Sequence, residues 1–312
     1  MATVLFIAPA DLGETVLATG ALDFALQQDD RVTIVCDPDA ADLFRAVPGL
    51  SAVLAMRRGA GFAAWRRLLF VLAGRRFDAV IDAQGSVLGR LVRAPWRVTP
   101  QVSSILRHRV EDWSDWVGAD HILAPKLWLD DAARAAAAAA APGAEPLLVL
   151  APGGVIASKR WPAERFAAIA RRLIDGPLGG ARVVVLGAAK RDEQVTRAIA
   201  ASLDADGVAA LNLGRTGLLA AAALLERATL CIGNDNVLTH LAAAAGAPTL
   251  TLFGATDERV RAPYGKRTQT LRGQEFEVLM GLPALEGRSV LEDISVDAVE
   301  AAAQDLLRAG GL

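Results

Sequence analysis

Two short polar stretches of this chain carry residues that could bind a charged ligand together. The first spans residues 158–162 and contains Lys159, and the second spans residues 234–240 and contains Asp235. Each follows an apolar run typical of a buried parallel strand, and each opens an apolar-periodic helix. Because helix N-termini favour negative charge, the two stretches together predict an anion site that would suit a nucleotide diphosphate.

Strand-like and helix-like segments alternate along the chain, which predicts an α/β fold. The alternation loosens after Asp82, reaches an alanine run at 135–141, and restarts after a Pro-Gly breaker. A chain of 312 residues also exceeds what one hydrophobic core usually serves. We therefore predict two domains, 1–142 and 143–312, joined by a linker at 142–146, with ligands bound in a cleft between them.

The composition narrows the class of protein. With 33 basic and 35 acidic residues, the net charge gives no reason to expect a nucleic-acid partner. Cys36 and Cys231 end apolar runs, and two isolated cysteines predict buried free thiols in a reducing compartment. The first residues lead directly into a strand, and no apolar stretch approaches the ~20 residues of a bilayer crossing. We therefore expect a cytoplasmic protein without a signal peptide.

Six segments, found in the family's order, resemble the family 9 glycosyltransferases, a group that includes the ADP-heptose:lipopolysaccharide heptosyltransferases. The segments are 12–17, 81–85, 159–162, 235–240, 252–257 and 263–265. The resemblance implies a B-type glycosyltransferase fold, in which two Rossmann-like domains face a central cleft. It also implies inverting transfer without a catalytic metal or other cofactor. In this reading the first domain binds the acceptor, the second binds the nucleotide sugar, and the C-terminal helix can cross back to the first.

Three positions depart from the family's usual pattern. The family usually has Gly-Asp where this chain has Gly13-Glu14, and Asp-Thr-Gly or Asp-Ser-Gly where this chain has Asp235-Asn236-Val237. Gly154-Val155 replaces hydroxyl side chains in the loop before the lysine. These changes touch the expected donor phosphate and sugar contacts, so they bear on the identity of the donor more than on the fold or reaction class.

Inverting sugar transfer needs a base for the acceptor hydroxyl and stabilisation of the departing diphosphate. The resemblance places Glu14 at the position of the base, whereas the residues alone also allow it to cap the following helix. Lys159 would neutralise the leaving phosphates, although an isolated lysine is more often an ordinary surface residue. The glycine turn Gly153-Gly154 before it is included in the predicted donor site.

Further donor contacts are expected at both helix starts of the second half. The resemblance assigns Asp235 and His240 to the donor sugar and phosphates, and the alternative for His240 is a buried, hydrogen-bonded histidine. Asn236, which follows Asp235, is also included in the predicted donor site. Asp192 and Glu193 open another helix after a strand, where an acid could bind the ribose hydroxyls or serve as an ordinary first-turn residue.

One acid-x-acid pattern, Asp37-Pro38-Asp39, superficially matches the metal-binding acids of metal-dependent transferases. Two acids between a strand and a helix are more typical of a cap and a turn. No metal site is therefore predicted.

The segment between Arg57 and Arg109 is strongly basic, with eleven arginines against two acids. Such an excess predicts an anionic partner on the first domain, the alternative being a solvated arginine-rich face. The resemblance supplies a partner, the acidic glycolipid core of a lipopolysaccharide precursor, with Arg57, Arg58 and Gln84 as candidate contacts. Interleaved aromatic residues could touch the lipid at the cytoplasmic face of the inner membrane. These residues are Trp65, Phe70 and Trp96.

The predicted function is transfer of heptose from ADP-L-glycero-D-manno-heptose to a lipopolysaccharide core acceptor. Transfer from another nucleotide sugar, or to a non-lipid acceptor, stays open, as does a non-catalytic sugar-nucleotide-binding protein. The retained Glu14, Lys159 and Asp235 argue against the last of these. A dinucleotide oxidoreductase is disfavoured because segment 8–13 lacks the G-x-G-x-x-G spacing that lets a backbone approach a pyrophosphate.

Overall fold

The computed structural model describes residues 1–57, 59–101, 106–154, 160–281 and 289–310. The chain divides into two compact units, Met1–Trp128 and Leu129–Leu312, called unit 1 and unit 2 below. Each unit is an α/β domain built on a parallel sheet, which confirms the predicted fold class.

Unit 1 is built on one sheet with helices in its connections. The strands are β1 (Thr3–Ile7), β2 (Arg31–Cys36), β3 (Leu50–Ala55), β4 (Ala79–Asp82) and β5 (Trp96–Val98). The helices are α1 (Leu12–Leu17), α2 (Thr19–Ala25), α3 (Phe62–Leu72), α4 (Val87–Leu91) and α5 (Arg109–Trp116), with a 3₁₀ helix at Pro38–Phe44. The strands lie in the order β3-β2-β1-β4-β5, and each neighbouring pair is parallel.

Unit 2 repeats this design. Its strands are β6 (Leu147–Ala151), β7 (Arg182–Val185), β8 (Ala210–Asn212), β9 (Ala228–Asn234), β10 (Thr249–Phe253) and β11 (Thr268–Arg272). Its helices are α6 (Asp131–Ala140), α7 (Ala163–Asp175), α8 (Glu193–Ala205), α9 (Leu218–Leu225), α10 (Val237–Ala244), α11 (Glu258–Arg261), α12 (Phe276–Gly281) and α13 (Val296–Ala309), with a 3₁₀ helix at Lys190–Asp192. The parallel strand order is β11-β10-β9-β6-β7-β8.

The winding of both sheets reverses at one pair of strands. In unit 1 the reversal lies between β1 and β4, and in unit 2 between β6 and β9. Ligands of open α/β sheets bind in the crevice beyond the carboxyl ends of the strands at such a switch point. Residues that bind ligands are therefore expected in the loops that follow these four strands.

The strand interiors are apolar because both faces of each sheet are covered by helices. Every residue of β6, for example, is buried. Cys36 and Cys231 are buried free thiols, as predicted, and burial raises the pKa of each to about 12. Within the described ranges, no helix combines the length and the apolar character that a bilayer crossing requires.

The boundary between the units differs from the predicted one. The sequence placed it between residues 142 and 143, but the alanine-rich helix α6 lies in unit 2. There α6 packs against α9, and the Arg227 guanidinium donates to the Ala141 carbonyl oxygen at 2.9 Å. Small alanine side chains permit this close packing, whereas a helix-forming composition alone does not say where a helix docks.

The helical stretch after β1 is split into α1 and α2 around Ala18, where the Thr19 hydroxyl donates to the Val16 carbonyl and accepts from Lys126 N. One further expectation changes in the structure. The final helix, α13, for which the sequence left open a crossing back to the first domain, packs against α7 in unit 2. Its acids pair there with Arg172, which lies 2.9 Å from Glu300 Oε2.

Candidate functional site

In unit 2 the loop after β6 is held by the last residue of β9. Asn234 is fully buried, and its Nδ2 donates to the Pro152 carbonyl oxygen at 2.7 Å. Its Oδ1 accepts from the Trp161 backbone N–H at 3.1 Å. One side chain thus fixes two segments beside the switch point, the glycine turn after β6 and the entry to α7.

Asn236 makes a second link between the two loops. It is the N-cap of α10, where its Oδ1 accepts from Leu238 N at 2.8 Å. Its Nδ2 donates to the carbonyl oxygens of Ala151 and Gly153, each at 3.0 Å. Both ends of the amide are therefore engaged within the protein, and the side chain sets the position of the α10 N-terminus against the glycine turn. A direct donor contact from Asn236 stays a prediction.

Gly153 is packed against Asp192, a second predicted donor residue. A Cβ atom at Gly153 would lie 2.8 Å from Asp192 Cγ, so the turn has no room for a side chain. The buried Asp192 accepts from Ala188 N and Ala189 N through Oδ2, and its Oδ1 bonds to no residue that the structure describes. Solvent reaches the half-exposed Glu193 instead, so Glu193 is the more accessible acid of this pair.

Asp235 and His240 flank the start of α10, as the sequence predicted. His240 is buried, and its Nε2 lies 3.9 Å from Asp235 Oδ1, too far for a hydrogen bond. Its Nδ1 has no hydrogen-bond partner among the described residues. His240 is therefore not the fully hydrogen-bonded core histidine considered as its alternative.

Lys159 lies outside the described residues, but the residues on either side of its loop are well anchored. The Arg160 guanidinium donates twice to the Gly154 carbonyl oxygen, at 3.0 and 2.8 Å. Trp161 is buried against Phe166, with ring centroids 5.0 Å apart, and its Nε1 donates to the Ile294 carbonyl oxygen. The tryptophan of this motif thus serves packing, and Arg160 joins the two ends of the loop.

In unit 1, Glu14 lies in the first turn of α1, in the loop region that follows β1. The N-cap is Asp11, whose Oδ1 accepts from Glu14 N at 3.0 Å. The buried Glu14 carboxylate instead reaches Arg109 of α5, with Oε2 3.2 Å from Nε. Arg109 also bonds to Asp112 at 2.9 Å. Glu14 is therefore a buried, ion-paired acid in the first turn of α1, and Asp11 is the N-cap.

Gln84 joins the two strands of the unit 1 switch point. Its Nε2 donates to the Ala8 carbonyl oxygen at 2.7 Å, just beyond β1. Its backbone N–H donates to Asp82, whose carboxylate also accepts from Ser86 N and Oγ. Burial raises the pKa of Asp82 although these hydrogen bonds oppose the shift. Glu14 and Gln84 thus lie in neighbouring loops of one sheet, and an acceptor contact from Gln84 stays a prediction.

The arginines of the basic segment in unit 1 differ in how closely acids pair with them. Arg107 and Arg109 are held by acids of α5, so the end of the segment is locally neutralised. Arg57 is 68% exposed and lies 3.7 Å from Asp39. Arg58 lies outside the described residues.

The acid-x-acid pattern is a cap and a turn, as predicted. Asp37 is the N-cap of the 3₁₀ helix and accepts from Asp39 N at 3.0 Å. Across the described part of the chain, no three His, Cys, Asp or Glu side chains are grouped so that they could hold a metal ion.

Two residues of these sites were missed at the level of sequence. Asn234 closes an apolar strand immediately before Asp235, and a fully buried strand that ends in a polar residue is a usable signal. Arg109 has no comparable signal, because nothing in its spacing relates it to Glu14 at the other end of the unit.

Comparison with known protein sequences matches part of this chain. A family model described as glycosyltransferase family 9 (heptosyltransferase) matches residues 100–279. Lipooligosaccharide heptosyltransferase 2 of Haemophilus influenzae is 32% identical over 140 residues, which are 44% of this chain and 39% of that protein. Lipopolysaccharide heptosyltransferase 1 of Pseudomonas aeruginosa is 36% identical over 135 residues, which are 43% of this chain and 36% of that protein. The chain thus matches less than half the length of these curated relatives.

Solved structures resemble the whole chain. ADP-heptose lipopolysaccharide heptosyltransferase II of Escherichia coli has a TM-score of 0.78 at 21% identity, covering 99% of this chain and 100% of that one. A family 9 glycosyltransferase of Veillonella parvula has a TM-score of 0.82 at 19% identity, covering 99% and 98%. These likenesses confirm the predicted B-type glycosyltransferase fold. Because the family model also matches more than half of the residues, the chain belongs to glycosyltransferase family 9.

Proposed function

We propose that this protein is an inverting, metal-independent glycosyltransferase that moves heptose from ADP-L-glycero-D-manno-heptose to the core of a lipopolysaccharide precursor. The observation that carries this proposal is the switch point of unit 2. There Asn236 joins the Gly153 turn to the N-terminus of α10, which is the arrangement that a diphosphate needs. Family membership supports the reaction class, and the similarity to heptosyltransferases of lipopolysaccharide, one of them described as an ADP-heptose enzyme, supports the donor and the acceptor.

In this proposal Glu14 takes the proton of the acceptor hydroxyl while that oxygen attacks the anomeric carbon of the donor. The bond from this carbon to the diphosphate oxygen breaks, its electron pair stays on the diphosphate, and ADP leaves. Arg109 positions the Glu14 carboxylate through the 3.2 Å ion pair. Lys159 and the N-terminus of α10 stabilise the negative charge that develops on the leaving group.

A panel of nucleotide sugars tests the donor assignment directly. We expect ADP-heptose to raise the melting temperature of the protein more than UDP-, GDP- or dTDP-sugars do, because a selective ligand stabilises the native state by mass action. Transfer to a core acceptor should then be seen by mass spectrometry. Selective stabilisation by another nucleotide would show that the donor is misassigned. Binding without transfer to any core acceptor would indicate a non-catalytic sugar-nucleotide-binding protein.

The acceptor assignment predicts a distinct kinetic effect at Arg57. Arg57→Ala should raise the acceptor KM about three- to tenfold and flatten its dependence on salt, since an exposed cation acts through screened attraction. The donor KM should not change. Arg308→Ala is a matched control, because Arg308 is also 68% exposed and paired with an acid, Asp305, but lies in unit 2. Equal acceptor KM values for the two variants at low salt would indicate that Arg57 belongs to a solvated arginine-rich face and does not contact the acceptor.

The same proposal places the enzyme in the cytoplasm, in peripheral contact with the inner membrane, with no nucleic-acid partner. Phe70 on α3 is 82% exposed and Trp96 at the start of β5 is 39% exposed, which supports contact with a lipid interface. Trp65 differs from this expectation, because it packs against the core of unit 1.

A further inference from the structure

A pocket of about 510 Å³ in unit 1 is lined by four arginines and, among the residues that the structure describes, by no acid. Its residues come from the segments that precede β4 and β5, from β5 itself and from the end of α4. The arginines are Arg76, Arg90, Arg93 and Arg97. The pocket therefore lies at the amino ends of these strands, whereas Glu14 and Gln84 follow the carboxyl ends of β1 and β4. In a parallel sheet these are opposite ends, so this pocket is separate from the proposed transfer site.

In the described part of unit 1, the guanidinium groups of three of the four arginines make no contact that holds the fold. Arg97 donates to the carbonyl oxygens of Gly89 and Val92 and so holds the end of α4. No hydrogen bond or ion pair joins the guanidinium groups of the other three to any residue that the structure describes. All three are exposed, and together they line one open recess in the surface of unit 1.

The backbone brings two of these arginines directly opposite each other. Arg76 and Arg93 form a parallel β-bridge, and Phe77 N donates to the Arg93 carbonyl oxygen at 3.1 Å. Like charges opposite each other across a strand pair are destabilising unless an anion lies between them. Asp78, the acid nearest to Arg76 in sequence, accepts instead from Thr3 N and Oγ1 at 2.7 and 2.9 Å.

The chemistry of this pocket fits one kind of ligand. Guanidinium groups bind phosphate through paired, charge-assisted hydrogen bonds, and several arginines around one recess can contact all the oxygens of a phosphate ester. Leu91 in the pocket wall is 61% exposed, and Trp96 lies next to Pro95 at the rim. These apolar side chains would also suit the glycerol backbone and first acyl carbons of a phospholipid.

We propose that this pocket binds a phosphate monoester or diphosphate group, separately from the nucleotide sugar. The inference does not depend on which sugar the enzyme transfers. Arg76, Arg90 and Arg93 hold the phosphate oxygens, while Arg97 keeps α4 in place and adds its charge.

Arginine footprinting on the intact protein tests this proposal without any transfer assay. The protein is treated with phenylglyoxal, and peptide mass spectrometry gives the modification rate at each arginine. One arm adds inorganic pyrophosphate, and the other compares vesicles of phosphatidylcholine with vesicles that also contain phosphatidic acid. We expect Arg76, Arg90 and Arg93 to react at least about threefold more slowly with the phosphate ligand present, because bound guanidinium groups are shielded. Arg66 and Arg67, exposed on α3 and outside the pocket, serve as internal references.

A pair of double variants adds a matched binding measurement. Arg90→Gln with Arg93→Gln should abolish the protection of Arg76, whereas Arg66→Gln with Arg67→Gln removes the same charge and should preserve it. Protection by pyrophosphate identifies a soluble phosphate ligand, and protection only by phosphatidic acid vesicles identifies a lipid headgroup. Unchanged rates at all three pocket arginines in both arms would overturn the proposal. Equal slowing at Arg66 and Arg67 would overturn it as well, since it would show only general ion association.

Discussion

Replacement of Glu14 by glutamine is expected to lower kcat by ~10²- to 10⁴-fold, because it removes the proposed general base and keeps its size. The affinity for the donor should change little, since the donor contacts are assigned to unit 2. The loss should therefore appear in single-turnover rates at saturating donor and acceptor. Activity of the parent protein should persist in EDTA, because the proposed mechanism uses no metal ion.

Asp11 provides the control for this prediction. It is the exposed acid of the same loop, and Asp11→Asn keeps the oxygen that accepts from Glu14 N. This variant should turn over within about threefold of the parent, since no proton transfer is assigned to it. If Asp11→Asn shows the larger loss and Glu14→Gln stays within about threefold of the parent, the base is misassigned.

Replacement of Asn236 by alanine should weaken both folding and donor binding. The change removes the N-cap of α10 and leaves the Ala151 and Gly153 carbonyl oxygens without these donors, which together cost about 2–4 kcal/mol of unfolding free energy. Because α10 and the glycine turn are then no longer fixed to each other, kcat/KM for the donor should fall by ~10- to 100-fold. Denaturant titration measures the loss of stability, and steady-state kinetics measure kcat/KM for the donor. Calorimetric titration with ADP then tests whether the kinetic loss lies in donor binding.

A serine at the same position distinguishes the effect of the α10 N-cap from the effect of the hydrogen bonds that join the two loops. Asn236→Ser keeps an N-cap oxygen but is too short to reach both carbonyl groups, so it should recover about 1 kcal/mol of stability without recovering ADP affinity. Ser295→Ala removes only the N-cap of α13 and should leave ADP affinity unchanged. Parental ADP affinity in Asn236→Ser would show that the link between the loops does not shape the donor site.

The sequence predicted the buried strands well because they carry their signal locally. The run that forms β6, for example, is apolar throughout, as is typical of a strand covered on both faces. Two of the four edge strands, β5 and β11, were not predicted, because one has only three residues and both are at most half-buried over most of their length. Neither contains a continuous apolar run, so the sequence alone gives no local signal for them.

The residues of the site were predictable where one motif contains them and not where partners are distant. Asp235 and His240 lie in one turn of chain, and their relation to the start of α10 follows from spacing alone. The Glu14–Arg109 pair joins α1 to α5, and the packing of Asp192 on Gly153 joins two crossovers of one sheet. Only the tertiary fold decides which of many acids and arginines meet, so the sequence could name Glu14 but not its partner.

The docking of α6 on α9 has a practical consequence for producing unit 2 alone. Ala133 and Ala137 of α6 are buried, and every residue of α9 except Ala220 is buried as well. A fragment that began at Gly143 would expose this leucine-rich surface to water and invite aggregation. A fragment that begins at Leu129 keeps the whole of α6 together with Asp130, whose Oδ1 caps the helix at 2.7 Å from Ala133 N. The soluble expression of unit 2 is therefore expected to depend on the alanine-rich helix α6, which the sequence alone placed in the first domain.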